Sequence, residues 1–156
     1  PALPPVSTLL VTPLGLSPGV LYSALKLLQP ASLIVVTSAI AAPRLEEAIE
    51  QAGASDLPLL VRQLDDPYLG FRQVDQRIDP EVDRALISAR QVVLNLTGGT
   101  TVLQYAVERI GRRAQQLGLP LRKVALVDRR PLAEQQAHPY VVGEVVELEA
   151  EDPPGE

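Results

Sequence analysis

Two stretches of the chain place hydroxyl groups beside glycines at the end of an apolar run: Thr12-Pro-Leu-Gly-Leu-Ser-Pro-Gly19 and Asn95-Leu-Thr-Gly-Gly-Thr-Thr101. Each leads directly into a helical pattern. The first backbone N–H groups of a helix have no intrahelical partner, and the helix dipole adds partial positive charge there, so such a turn favours an anion. In the second stretch Gly98 and Gly99 permit close approach of the backbone to a phosphate, and Asn95, Thr97, Thr100 and Thr101 add polar side chains. In the first, Gly15, Leu16, Ser17, Pro18 and Gly19 form the corresponding turn, with Ser17 as the hydroxyl donor. Either loop alone is read equally well as a tight turn. The pair points to one phosphate-rich ligand.

Other chemistries fit less well. The first loop is G-x-x-x-G, not the dinucleotide pattern G-x-G-x-x-G, and Thr37-Ser38 ends the second apolar run where an acidic residue would grip a ribose. No lysine follows a glycine-rich loop in the phosphate-binding Walker arrangement. A serine-hydrolase alternative rests on Gly15-Leu-Ser17-Pro-Gly19, which matches G-x-S-x-G, followed in order by Asp128 and His138. Against it, Pro18 removes the N–H that would donate to an oxyanion, and the match follows the first strand. His138, the only histidine, reads as a loop residue.

Composition narrows the field. Cysteine is absent, which removes thiolate catalysis and cysteine-ligated metals; no metal site and no cofactor is expected. The net charge is −5 and the only lysines are Lys26 and Lys123, so a broad footprint for duplex nucleic acid is missing. No apolar run approaches the roughly 18 residues of a membrane span and no leader opens the chain. A cytoplasmic location without membrane association is the expectation.

The elements that must position the loops follow from periodicity. Strands are expected at Val6 to Thr12, closed by Pro13, and at Ser32 to Ser38, Leu57 to Leu64, Gln91 to Leu96 and Arg122 to Asp128. An edge strand or hairpin arm is expected from Tyr140 to Leu148. Helices are expected after Pro18 to Leu28, from Arg44 to Gln51, from Asp79-Pro80 to about Ala89 and from Thr100 to Leu117, with a looser helical stretch from Phe71. Asp65, Asp66 and Tyr68 lie in turn chemistry. With 156 residues of which 46% are hydrophobic, residues 1–148 suffice for one domain. Residues 149–156, acidic and proline-rich, are expected to be a disordered tail or linker. Strands alternating with helices indicate an α/β, Rossmann-like three-layer fold with a mostly parallel sheet of about six strands. Right-handed crossovers make the first and fourth strands neighbours, which brings both glycine loops to one crevice.

The segments "TPLGLSPGVLYSAL", "LIVVTS" and above all "VVLNLTGGTTVLQYA", with "HPYVVGEVVEL" near the end, resemble a CRISPR-associated Rossmann fold domain, the sensor module of type III CRISPR defence. The resemblance implies a homodimer that binds cyclic oligoadenylate across its two-fold axis, with cyclic tetra-adenylate favoured. It implies ligand contacts from Gly15 to Gly19, Thr37, Ser38, Asn95 and Thr97 to Thr101. Stand-alone members include ring nucleases, which open the ring without metal by attack of a ribose 2′-hydroxyl on the adjacent phosphate. In that case Ser17 is the first choice for orienting the reacting group, with Thr97 and Thr100 beside it and Lys123, Arg129 or Arg130 as charge stabilisers. Asp65, Asp66 and Tyr68 would cover the adenines, and Val20, Leu21 and Leu25 would serve a dimer interface. The alternative is a non-catalytic sensor module of a larger effector. Many relatives carry a lysine after the glycine pair, where this chain has Thr100-Thr101.

Overall fold

The computed structural model describes residues 7–150. Val6, expected to open the first strand, and residues 151–156 of the expected tail lie outside that range. A six-stranded sheet runs in the order β3-β2-β1-β4-β5-β6. Its strands are β1 (Thr8–Leu14), β2 (Ser32–Ser38), β3 (Leu59–Leu64), β4 (Gln91–Asn95), β5 (Leu121–Val127) and β6 (Glu144–Ala150). All neighbours pair parallel except β5 and β6, which are antiparallel. The helices are α1 (Pro18–Leu28), α2 (Leu45–Gln51), α3 (Val74–Arg77), α4 (Pro80–Ile87), α5 (Thr101–Gln116) and α6 (Leu132–Ala137).

Alternation along the strands divides the core into two layers. Leu9 and Val11 of β1, Ile34 and Val36 of β2 and Val92 and Leu94 of β4 pack against Val82 and Leu86 of α4 and Val102, Leu103, Val107 and Ile110 of α5. Leu10, Leu33, Val35 and Val93 point the other way, onto Leu21, Ala24 and Leu25 of α1 and Ala48 and Ile49 of α2. Burying one such leucine contributes roughly 1.5–3 kcal/mol. Near-continuous apolar strands are what a sheet covered on both faces requires. Leu21 is fully buried and Leu25 nearly so, so these two serve the core and not a dimer surface, whereas Val20 packs against the same layer and stays half-buried.

Several boundaries differ from the sequence expectation. Pro13 does not end β1: pairing with β2 continues through Leu14, whereas pairing with β4 stops at Val11. The proline thus lies where one side of the strand has no ladder to break. The second helix begins as a 3-10 turn at Ala42–Arg44. The polar run after β5 contains α6, which periodicity did not mark because every residue in it is exposed or half-buried. Tyr140 precedes the last strand, which starts at Glu144 and runs through Glu149 to Ala150, past the expected boundary of the tail.

Candidate functional site

The first two crossovers carry the chain from β1 outward to β2 and β3, and the later ones from β4 to β5. The β1–α1 and β4–α5 loops therefore open together at the carboxyl ends of adjacent strands, the topological switch point of such a sheet. They touch backbone to backbone. A Cβ on Gly15 would lie 2.6 Å from the Cα of Gly99, so Gly15 has no room for a side chain without displacing the β4–α5 loop. Gly98 and Gly99 have φ of 99° and 70°, the left-handed region that glycine enters at no steric cost. A Cβ on Gly99 would also come within 2.8 Å of Leu103 Cδ1.

The polar side chains of the β4–α5 loop are turned inward. Asn95 is fully buried; its amide donates to Thr12 Oγ1 (2.9 Å) and to the Thr97 carbonyl (3.1 Å), and its Oδ1 accepts from the Thr97 N–H (3.0 Å). Thr97 Oγ1 accepts from the Leu126 N–H at 2.9 Å, tying the loop to β5. Thr100 is the N-cap of α5: its Oγ1 accepts from the Leu103 N–H and donates to the Pro67 carbonyl. Thr37 Oγ1 donates to the Leu14 carbonyl at 2.8 Å, and Ser38 Oγ accepts from the Ala41 N–H. Of the hydroxyls expected in ligand contact, Thr37 and Thr100 donate to backbone carbonyls, while Ser38 and Thr97 are held as acceptors of backbone N–H groups. Thr101 is exposed at the first turn of α5.

The β1–α1 loop is arranged differently. Ser17 stands at the N-cap position of α1 and makes no side-chain capping bond, and Pro18 occupies the first turn, where its missing N–H costs nothing. Ser17 is exposed, and its hydroxyl has no hydrogen bond among the described residues. It opens into a cleft of about 450 Å³ walled by Leu16, Val20, Arg44, Leu126, Asp128 and Arg130, among others. The outer wall is the strap between β5 and β6. Arg130 grips both carboxylate oxygens of Asp128 (3.1 and 2.8 Å) and donates to the His138 carbonyl at 2.9 Å. The side-chain hydrogen bond from Arg130 holds the Asp128 carboxyl below the ordinary aspartate value, and the same contact raises the arginine. Further along, Pro139 lies against Gly19, Tyr140 packs on Tyr22 with ring centroids 5.5 Å apart, and the Gly143 N–H donates to Ser23 Oγ at 3.0 Å. Burial, followed by the nearby charge of Glu47, pushes the Tyr140 phenol up. The strap therefore crosses α1 and reaches α2.

The remaining candidates are distributed around this cleft. Arg130 is in it, but its charge is neutralised by Asp128. Arg129 pairs with Glu144. Lys123 lies one layer away, on the α5 side of the sheet, where its ammonium is 3.3 Å from Glu108 and 3.9 Å from Glu149. It lines a separate groove with Tyr105 and Arg112. Asp66 accepts from the N–H groups of Tyr68 and Leu69, which lower its pKa, and Asp65 is bonded to Gln73. Both carboxylates therefore build the turn. Tyr68 above it is 71% exposed, and the Pro67 contact brings this turn against the β4–α5 loop. Among the described residues no hydrogen bond links the His138 ring to Ser17 or Asp128, so the Ser17, Asp128, His138 triad is not assembled. Arg44 was not singled out by sequence. Its only signal is its place directly after Pro43, at the end of the β2–α2 connection, which no motif marks.

No group of three or more histidine, cysteine, aspartate or glutamate residues that could hold a metal occurs among the described residues. Nor is any helix there long and apolar enough to cross a membrane.

No family model matches the chain, and no curated protein matches it in sequence. Solved structures do match. Can2 from Sulfobacillus thermosulfidooxidans, in complex with cyclic tetra-adenylate, superposes with a TM-score of 0.54 at 17% identity over 74% of this chain and 31% of that one. A type III CRISPR defence DNA nuclease activated by cyclic oligoadenylate gives 0.57 at 23% identity, over 78% and 19% of the two chains. Enterococcus italicus Csm6, bound to cyclic hexa-2′-fluoro-hexa-dAMP, gives 0.58 at 14% identity, over 83% and 36%. The chain thus spans from about a fifth to about a third of these proteins. The Rossmann-like α/β fold read from the sequence is theirs, and the resemblance to a CRISPR-associated Rossmann fold domain is borne out in the fold.

Proposed function

We propose that this chain binds cyclic oligoadenylate in the crevice formed by the β1–α1 and β4–α5 loops, as one half of a homodimer, and opens the ring. The observation that carries the reading is the backbone contact between Gly15 and Gly99, which fuses two helix N-termini into one anion-receptive surface beside a cleft of about 450 Å³. A cyclic ligand with two-fold symmetry is matched by a two-fold dimer that presents each contact twice. The expected cellular setting is the cytoplasm.

Ring opening needs no metal. The ribose 2′-oxygen attacks the adjacent phosphorus; the 2′-O–P bond forms as the P–O5′ bond breaks. The 2′-hydroxyl proton passes to water and a proton from water reaches the departing 5′-oxygen. The product ends in a 2′,3′-cyclic phosphate and a 5′-hydroxyl. Holding the attacking oxygen in line supplies most of the acceleration. Ser17, uncommitted and exposed at the mouth of the cleft, orients the ribose or donates to a non-bridging phosphoryl oxygen as charge builds there. Thr100 contributes by fixing the α5 N-terminus, its hydroxyl being occupied. Lys123 lies on the α5 face, paired with Glu108 in a separate groove, and takes no part in this cleft.

The test is incubation with cyclic tetra-adenylate and, separately, cyclic hexa-adenylate in EDTA, with products resolved by chromatography. The expected result is linear oligoadenylate bearing a cyclic phosphate end. Binding with the ring intact after hours would overturn the nuclease half of the reading. It would favour the second reading, a non-catalytic sensor module. Sedimentation with ligand at micromolar concentration tests the dimer, and a monomer there would count against it.

A further inference from the structure

Removing the side chains already occupied by the fold leaves few groups in the Ser17 cleft able to meet a charged ligand. Two arginines line it. Arg130 is bound bidentately by Asp128 and donates to a backbone carbonyl, so its charge is already balanced. Gln135 is spent on the carbonyls of Asp128 and Arg130. Arg44 differs from both. Its one hydrogen bond among the described residues runs from Nη1 to the Ile40 carbonyl at 3.1 Å, within its own loop, and no carboxylate pairs with it. That bond orients the guanidinium and leaves its positive charge uncompensated. In a chain of net charge −5, an uncompensated half-buried arginine on the wall of a cleft is the exception: Arg62, Arg77, Arg109, Arg113, Arg122 and Arg130 all face carboxylates.

We infer that Arg44 is the cation that holds a phosphate in this cleft, and so a specificity-determining residue for phosphodiester ligands. The inference rests on the proposed function and deepens it: the charge comes from the β2–α2 connection, not from Lys123, Arg129 or Arg130. Its location explains how a protein without a basic surface could retain a polyanion. The β1–α1 loop supplies the Ser17 hydroxyl from one wall, and Arg44 supplies a full charge and a planar fork of donors from another. Guanidinium suits this task because its donors meet two phosphoryl oxygens at once, whereas an ammonium acts as a point charge.

The experiment compares the unmodified protein with Arg44→Gln, Arg44→Lys and Arg112→Gln. The last is an exposed arginine on the separate groove and serves as a matched loss of charge. Fluorescently labelled cyclic tetra-adenylate is titrated at several salt concentrations. Arg44→Gln is expected to weaken binding at least tenfold and to flatten the dependence of log K on log salt by about 0.7, the loss of one phosphate contact on a single strand. Arg44→Lys is expected to restore the salt slope while recovering only part of the affinity. Arg112→Gln is expected to change neither the slope nor, beyond about twofold, the affinity. Melting curves establish that each variant is folded.

If Arg44→Gln binds as tightly as the unmodified protein, or weakens with an unchanged salt slope, Arg44 does not hold phosphate and this inference falls while the proposed function stands. An equal loss from Arg112→Gln would reduce the effect to net charge and overturn the inference in the same way. Failure of the unmodified protein to bind either cyclic tetra-adenylate or cyclic hexa-adenylate would take both down.

Discussion

The two glycine loops look alike in sequence and are built for different work. In the β4–α5 loop the polar side chains of Asn95, Thr97 and Thr100 are turned inward and hydrogen-bonded to Thr12, Leu126, Leu103 and Pro67. In the β1–α1 loop Ser17 projects outward with its hydroxyl unoccupied, and no side chain caps the helix. The difference separates shape from chemistry. One loop spends its side chains on fixing a backbone. The other is short, braced from outside by Gly99 and Pro139, and free to present a reactive side chain. A motif rich in hydroxyls is thus no guide to which of them the fold leaves unoccupied.

Substitutions on the two loops should therefore diverge. The largest effect is expected from Gly99→Val, which forces a β-branched residue to φ near 70° and drives Cβ to within 2.8 Å of Leu103. Left-handed strain and overpacking together predict a loss of about 3 kcal/mol, read from the urea midpoint. An unchanged midpoint would mean that the loop is not a rigid scaffold. Asn95→Ala comes next, at about 2 kcal/mol, because it strips partners from buried Thr12 and from the Thr97 backbone. If this variant were instead fully stable and defective only in binding, the scaffold role assigned to Asn95 would be wrong.

Ser17→Ala should leave stability within about 0.5 kcal/mol, as expected for an exposed position, while slowing ring opening about tenfold, or roughly 1.4 kcal/mol in the barrier. Affinity should change less than rate, since the hydroxyl acts most strongly on the transition state. A normal cleavage rate would remove Ser17 from the mechanism. The smallest effect concerns the strap. Asp128 has a folded-state pKa below its ordinary value, so the stabilisation from its contact with Arg130 is complete above about 3.9 and fades as pH falls through the lowered value. Comparing Asp128→Asn with the unmodified protein by chemical denaturation should show a modest gap at neutral pH that closes in acid. A gap that widens on acidification would contradict the assignment.

The architecture was legible because its signals are strong and local. Apolar runs such as Leu33 to Val36 and Val92 to Leu94 announce buried parallel strands, Asp79-Pro80 announces a helix start, and the handedness of crossovers then fixes which loops meet. The helical face of Leu21 and Leu25 was equally visible, but whether it met a sheet or a second subunit depends on tertiary placement. The site was legible only in part. Sequence offers both Ser17 and Thr97 as donors, with Ser17 the first choice, and only the structure shows Thr97 holding the Leu126 N–H of β5 while Ser17 caps nothing. Lys123 carries the rare charge of its type, yet strand alternation turns it to the α5 face, toward Glu108. Arg44 was hidden for the converse reason. Arginine is common in this chain, and what distinguishes this one is the absence of a facing carboxylate among the described residues, which no spacing encodes.

The contact between Gly15 and Gly99 has a kinetic side. Loops that rest on one another's backbone cannot open or close independently, so the anion-receptive wall of the crevice is complete before any ligand arrives. Little ordering entropy is left for the encounter to supply on that side, and capture should proceed in a single concentration-dependent phase. Any slower step after encounter then belongs to the opposite wall, where Arg130 fastens the strap.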